Sequence, residues 1–241
     1  MYALHLELQP TAGLTFRRVP FASTQMLTYP FAPAPTLSGY LERLRRLRRG
    51  DDLPETALKN PPTIALPSAY RVLGAYPADE QYRIHRTARQ GPRSITHSAF
   101  SRLYRQERAQ SENFQLYAWE YLLVDRLVGW VVHPERAALE ELADLQNVGC
   151  KLGKEGYAYV EEVRIEALEP VDGGRPRVAV PAEVAGMAAS TVYPVYRYHR
   201  NGEMIVGYEP LRLALVDGVL RVPGYRTESG AFLPQVSIDE L

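Results

Sequence analysis

The chain opens with apolar and polar residues in alternation: Tyr2, Leu4, Leu6 and Leu8 against Ala3, His5 and Glu7. A period of two is that of a strand, and it puts His5 on the polar, solvated side. The period then changes. Leu37, Tyr40, Leu41, Leu44 and Leu47 recur at helical spacing, with Arg43, Arg45, Arg46, Arg48 and Arg49 lying off the apolar stripe. Pro30, Pro33 and Pro35 keep the approach extended, and Thr36 is the expected N-cap. Gly39 lets a second backbone come close to the first turn, and Gly50-Asp51-Asp52 stops the helix. A core helix with a solvated charged face fits this pattern, and so does a helix start that holds phosphate.

Residues 51–67 are a Pro-rich loop, and Ala69 to Tyr76 reads as a second strand. Gln81 to Gln110 carries Arg83, Arg86, Arg89, Arg93, Arg102, Arg105 and Arg108 with little apolar content, and Gln90-Gly91-Pro92 marks a turn. A protruding basic hairpin is expected there, with a plain surface loop as the alternative. Phe114 to Val124 and Leu127 to His133 read as central strands joined tightly at Asp125-Arg126. A helix follows from Pro134 to Leu145, with Ala138, Leu142 and Leu145 facing inward. The segment from Asn147 to Gly156 gathers three glycines with Lys151 and Lys154 ahead of a strand from Tyr157 to Leu168. Such a loop can bring backbone N–H and ammonium groups to an anion, or simply connect helix to strand. It is not a Walker A loop, because Glu155 follows Lys154 where Ser or Thr is required.

Beyond Pro170, Asn201-Gly202 and Asp217-Gly218 are each flanked by strand-like runs and predict two hairpins, with a soft tail after Gly224. The sum is an α+β sandwich with a small C-terminal antiparallel β unit.

Charge changes this picture. The chain is formally neutral, yet residues 1–108 carry 16 Lys and Arg against 8 Asp and Glu, and the remainder carries 12 against 20. That asymmetry suggests a basic face for nucleic acid and an acidic face for solvent or a protein neighbour. Of the 28 basic residues only Lys59, Lys151 and Lys154 are Lys. Guanidinium groups bind phosphate in a bidentate manner and stack on bases, which suits RNA, although a GC-rich genome or a thermophile gives the same ratio. No apolar run approaches a membrane span, and no signal-peptide pattern opens the sequence. The single Cys150 excludes an internal disulfide and a cysteine-based zinc site, and a cytoplasmic location is expected.

The residues Phe21-Ala22-Ser23, Thr28-Tyr29-Pro30-Phe31, Pro33, Pro35-Thr36-Leu37-Ser38-Gly39 and Leu41 resemble the N-terminal signature of a CRISPR family. This is the Cas-five family of the RAMP superfamily. The resemblance is specific over residues 2–48 and looser for the basic arm and for the Gly149–Gly156 loop, which is more like the type I-D branch. It implies a ferredoxin-like (RRM-like) domain over 1–169 with a thumb at about 81–110, followed by a β-rich appendage over 170–241. It further implies that the protein caps the 5′ handle of crRNA in a Cascade complex. Partners would be a Cas-seven-type backbone subunit, the large subunit and target DNA near the PAM. Carried over by motif, Arg17, Arg18 and Ser23 would sit near handle phosphates, and Thr36, Ser38 and Gly39 would form the helix start beneath them. Tyr29 would be a stacking platform, Arg86, Arg89 and Arg93 would lie on the thumb, and Arg45 and Arg46 would join the RNA-binding set. Lys151 and Lys154 are added on chemistry alone.

One branch of that family cuts precursor RNA with a Tyr and an adjacent Lys-His pair, and no Lys-His pair occurs here. A non-catalytic subunit without cofactor or metal is therefore the first expectation. An endoribonuclease using His97 on the arm is the second, and a protein-only scaffold is the third.

Overall fold

The computed structural model describes residues 1–19, 25–53, 64–92, 114–201 and 204–241. The main sheet is built from β1 (Tyr2–Pro10), β3 (Arg71–Pro77), β6 (Leu127–His133), β7 (Gly149–Lys151) and β8 (Tyr157–Ala167). Its order is β3-β6-β1-β8-β7, and every pairing is antiparallel. Helices α1 (Ala34–Arg49) and α2 (Arg136–Ala143) pack on this sheet and touch each other. Leu37, Tyr40, Leu41 and Leu44 of α1 are buried, as the helical spacing requires.

Several details of α1 depart from expectation. The helix begins two residues before Thr36, with Pro33 as N-cap and Pro35 in the first turn. Proline needs no N–H there, and the Pro33 carbonyl already accepts from Thr36 N and Leu37 N, so Thr36 does not cap. At the other end Gly50 is left-handed (φ 74°) and Asp51 N–H reaches back to Arg46 O, a Schellman closure. Leu47 is 45% exposed although it continues the apolar stripe. The last turn, residues 47–50, is exposed throughout and projects beyond the layer it covers. In α2 it is Leu139 and Leu142, with Leu145 just after, that are fully buried, while Ala138 is only half-buried.

The other face of the main sheet is covered by the C-terminal strands, which overturns the solvated reading of His5. That residue is 6% exposed, beside Trp130 of β6 and near Glu166 of β8. β1 is the middle strand of a sheet covered on both faces, so its "polar" side is interior too.

The arginine-rich β4 (Arg83–Pro92) pairs antiparallel with β5 (Phe114–Leu123), and the two-residue β2 (Gln25–Met26) joins β5 in parallel. Phe114 to Leu123 is thus the middle strand of a separate three-stranded sheet, β2-β5-β4, rather than a strand of the main sheet. Its aromatic richness fits either place, and pairing decides. Gln90-Gly91-Pro92 is no turn: it continues β4, opposite Leu116, Gln115 and Phe114. β4 is an edge strand, where the missing proline N–H breaks no ladder. Residues 83–86 and 88 are exposed, so this edge strand faces solvent, while β5 is fastened to the body by Leu122 and Glu120.

In the C-terminal part, β11 (Ala189–Asn201) and β12 (Met204–Val216) form the hairpin expected around Asn201, with the short β10 (Val180–Pro181) on β12. Asp217-Gly218 does not make a second hairpin. β13 (Leu220–Arg226) leaves β12 and pairs instead with β9 (Glu169–Gly174) and β14 (Phe232–Pro234). Gly218 lacks the positive φ that a type I′ turn demands. Nor is the tail soft: Phe232, Leu233, Ser237 and Ile238 are buried, the last two on α3 (Gln235–Glu240). One apolar cluster runs from Leu4 and Leu41 through Val178, Leu213 and Leu233.

Candidate nucleic-acid interface

Residues 14–18 form the seam on which the site is built. Tyr29 N–H donates to Phe16 O, Arg18 N–H to Leu27 O, and Phe16 N–H to the Thr28 hydroxyl at 2.8 Å. From the other side the loop after β7 docks on the same segment. Lys154 N–H donates to Thr15 O at 2.8 Å, and Thr15 N–H to Glu155 O at 3.0 Å. Glycines make this docking possible. Gly153 has φ +80° and an added Cβ would lie 2.7 Å from Thr15 O, while one at Gly156 would lie 2.5 Å from Leu14 Cδ2. These glycines seat the loop on residues 14–16, and the Lys154 N–H is taken up by Thr15 O.

What the docking brings together is positive charge. Arg17, Lys151 and Lys154 converge on one surface. The Lys154 ammonium is pushed below its ordinary pKa, first by partial desolvation and then by Arg17 and Lys151, with Glu155 opposing. Arg17 is steadied by a contact from Nε to Met26 Sδ at 3.3 Å. Arg18, its neighbour, lays its guanidinium over the Tyr193 ring, 5.3 Å from the centroid.

The other expected residues are placed differently. Tyr29 is 2% exposed, its ring against Phe31 and Tyr193 and its hydroxyl between the carbonyls of Arg18 and Pro194. It is a core strut and offers no face to a base. Arg45 and Arg46 both bind the buried carboxylate of Glu42, at 2.8 and 2.9 Å, and Arg45 also reaches Glu141. Ser38 Oγ accepts from Leu66 N–H at 3.0 Å, and the Ile64 carbonyl lies 3.0 Å from a Cβ built on Gly39, the close backbone approach expected there. Ser38, Arg45 and Arg46, with Arg71, Arg197, Glu42 and Glu240, line a cleft of about 580 Å³. Thr36 lies in the same first turn of α1. Arg86 is exposed on β4. Arg89 also falls in β4, but its side chain, with Ser23, Arg93 and His97, lies outside the described residues.

Residues that sequence reasoning missed include Glu42, which neutralises two expected RNA contacts, and Tyr193, which holds Arg18. Glu42 could have been found from its i+3 and i+4 spacing to Arg45 and Arg46. Nothing in the sequence marks Tyr193 among sixteen tyrosines. Among the described residues no group of three or more His, Cys, Asp or Glu is disposed to hold a metal ion, and no helix is long and apolar enough to cross a membrane.

A scan against protein-family models and a search of curated proteins each return no match. Among solved structures, a CRISPR protein from Archaeoglobus fulgidus superposes with TM-score 0.47 at 10% identity, covering 96% of this chain and 98% of that one. A chain of the type III-B Cmr-β assembly bound to cognate target RNA and AMPPnP gives 0.47 at 12% identity, covering 92% and 86%. A chain of a CRISPR RNA-guided surveillance complex gives 0.38 at 12%, covering 99% and 98%. Likeness at this level assigns no function to the chain.

Proposed function

We propose that this protein is a non-catalytic RNA-binding subunit of a CRISPR effector complex, capping the 5′ handle of a type I guide RNA. The observation that carries the reading is the docking of the loop after β7 on residues 14–17, Lys154 N–H to Thr15 O at 2.8 Å, which sets the exposed Lys151 and Lys154 beside Arg17. Cations crowded together at a surface favour a polyanion, which relieves their mutual repulsion and releases its counterions. Two further features support it. The main sheet runs strand-helix-strand, strand-helix-strand with β8-β1-β6-β3 adjacent, the order of a ferredoxin-like sandwich. The β4–β5 ribbon lies outside that sheet, as a thumb would, with Arg83 and Arg86 exposed.

Backbone and large subunits are the natural protein neighbours in this reading, and DNA near the PAM a further contact. A nuclease would need an acid–base pair at the scissile phosphate. His5 and His133 are buried, which withdraws two of the five histidines from that role.

The test is binding of handle-containing guide RNA to wild type and to Lys151→Glu with Lys154→Glu. Wild type should bind in a strongly salt-dependent way and the double variant should lose most of its affinity. Equal binding by the two proteins refutes the reading, and RNA cleavage in EDTA would replace it with the nuclease.

A further inference from the structure

Of the two arginines at the centre of the site, Arg18 is held by the C-terminal hairpin. Arg17 reaches Met26 Sδ at 3.3 Å and adds its charge to that of Lys154, whereas Arg18 lies over Tyr193. Tyr193 sits in β11 opposite Leu213. Its ring meets Tyr29 and Phe31 edge-on, at 6.1 and 5.5 Å between centroids. Its phenol is pushed above the ordinary range by burial and by Tyr82, while a hydrogen bond with Thr191 and the Arg18 charge oppose. The Tyr29 hydroxyl lies between the Arg18 and Pro194 carbonyls and ties the two backbones at the same point.

A half-buried arginine on an extended segment would otherwise spread over many rotamers. Here an aromatic face, itself clamped by two other rings, selects one. We infer that Tyr193 is a positioning residue for RNA binding: it fixes the Arg18 guanidinium as a second phosphate contact, so that the cationic surface continues past Arg17 onto the C-terminal hairpin. This rests on the RNA-binding reading above. The RNA backbone would then cross residues 17–18, meeting Lys151 and Lys154 as well as the Tyr193-held guanidinium.

The experiment is a double-mutant cycle in handle-containing guide RNA, reading Kd and its salt slope for wild type, Tyr193→Phe, Tyr193→Leu, Arg18→Gln and the Tyr193→Leu/Arg18→Gln pair. Tyr193→Phe keeps the ring and should bind as wild type. Tyr193→Leu should weaken binding roughly two- to fivefold, the range of an exposed cation–π contact. Its salt slope should shrink by up to about 0.7, one phosphate contact on a single strand. The pair should bind no worse than Arg18→Gln alone, because the ring acts through that guanidinium. Arg18→Lys provides a check that leaves the hairpin intact: a lysine lacks the flat group that stacks, so it too should bind more weakly than wild type. Additive losses in the cycle, or full affinity in Arg18→Lys, overturn the positioning role while leaving RNA binding standing. Failure of the wild type to bind RNA removes both.

Discussion

Replacing Gly153 by Ala is the sharpest probe of how the site is assembled. The residue has φ +80°, and its new methyl would lie 2.7 Å from Thr15 O and about as close to the Phe16 ring, at 2.9 and 3.0 Å. The left-handed backbone alone costs an alanine about 1–2 kcal/mol. The clash with backbone oxygen adds more, because the loop must lift from residues 15–16. Lifting breaks the bonds between Lys154 N and Thr15 O and between Thr15 N and Glu155 O, each worth about 1 kcal/mol. The sum is about 3–4 kcal/mol, or roughly 10 °C in Tm for a chain of this size. Gly50→Ala is the matched control: φ is +74°, but nothing lies within 4 Å of its Cβ, so only the backbone cost of about 1–2 kcal/mol applies. Thermal melting of both variants, with salt-dependent RNA binding alongside, decides the matter. Gly153→Ala should also lose up to about 1.4 of the salt slope as Lys151 and Lys154 scatter, and Gly50→Ala should lose none. Equal Tm losses, or an unchanged slope in Gly153→Ala, would refute the docking argument.

Acid should destabilise the protein in two stages. His5 is held neutral by burial and by Arg164, against Glu166, Glu7 and Glu162, so its folded pKa lies below 6.5 and the unfolded chain gains the proton first. Stability present above about pH 6.5 is therefore lost as pH falls below it, and His5→Gln should flatten that limb in a series of Tm values. The Glu166 carboxylate, held below its ordinary pKa by Ser229, Thr227 and His5 despite burial, adds stability above about 4.5 that disappears on further acidification. Tyr29→Phe removes the hydroxyl between the Arg18 and Pro194 carbonyls and should cost about 1–3 kcal/mol in urea melts, with no loss at all as the contrary result. Glu42→Gln leaves two half-buried guanidinium groups without their carboxylate and should cost about 2–3 kcal/mol; a midpoint unchanged in urea would show the pairs to be idle.

Periodicity carried the reading where a single element decides its own environment. The strand of β1 and the apolar stripe of α1 follow from spacing, because their burial repeats every 2 or 3.6 residues. Failures came where a partner decides. His5 lies on the polar-looking side of β1, yet it is buried beside Trp130 and Glu166, with Ser190, Leu215 and Ala231 of the C-terminal part across a shared cavity. Phe114 to Leu123 has the composition of a main-sheet strand, and only its pairing with β2 and β4 assigns it to a separate sheet. Asp217-Gly218 has the residues of a hairpin, yet β13 finds better pairing on β9 and β14. The glycines at 153 and 156 were visible, but their purpose depends on a carbonyl and a side chain from residues 14–15.

Among the described residues, ion pairs cross the charge segregation seen along the sequence. Arg45 and Arg49 of the basic half reach Glu141 of the acidic half, and Arg175 and Arg177 of the acidic half bind Glu80 of the basic one. Two of the three cations in the Arg17 cluster come from the acidic half. Local charge density is therefore set by the docking of the 152–156 loop, and a direct comparison separates the two sources. Lys151→Gln with Lys154→Gln should remove about 1.4 from the RNA salt slope, since each lysine neutralises one phosphate on a single strand. Arg45→Gln with Arg46→Gln should leave that slope in place and lower Tm instead, because those guanidinium groups are committed to Glu42 at 2.8 and 2.9 Å. Were the arginine pair to control the slope and the lysine pair only the melting, the phosphate would have to lie along α1, in the cleft with Arg71 and Arg197, and the interface drawn around Arg17 would be wrong.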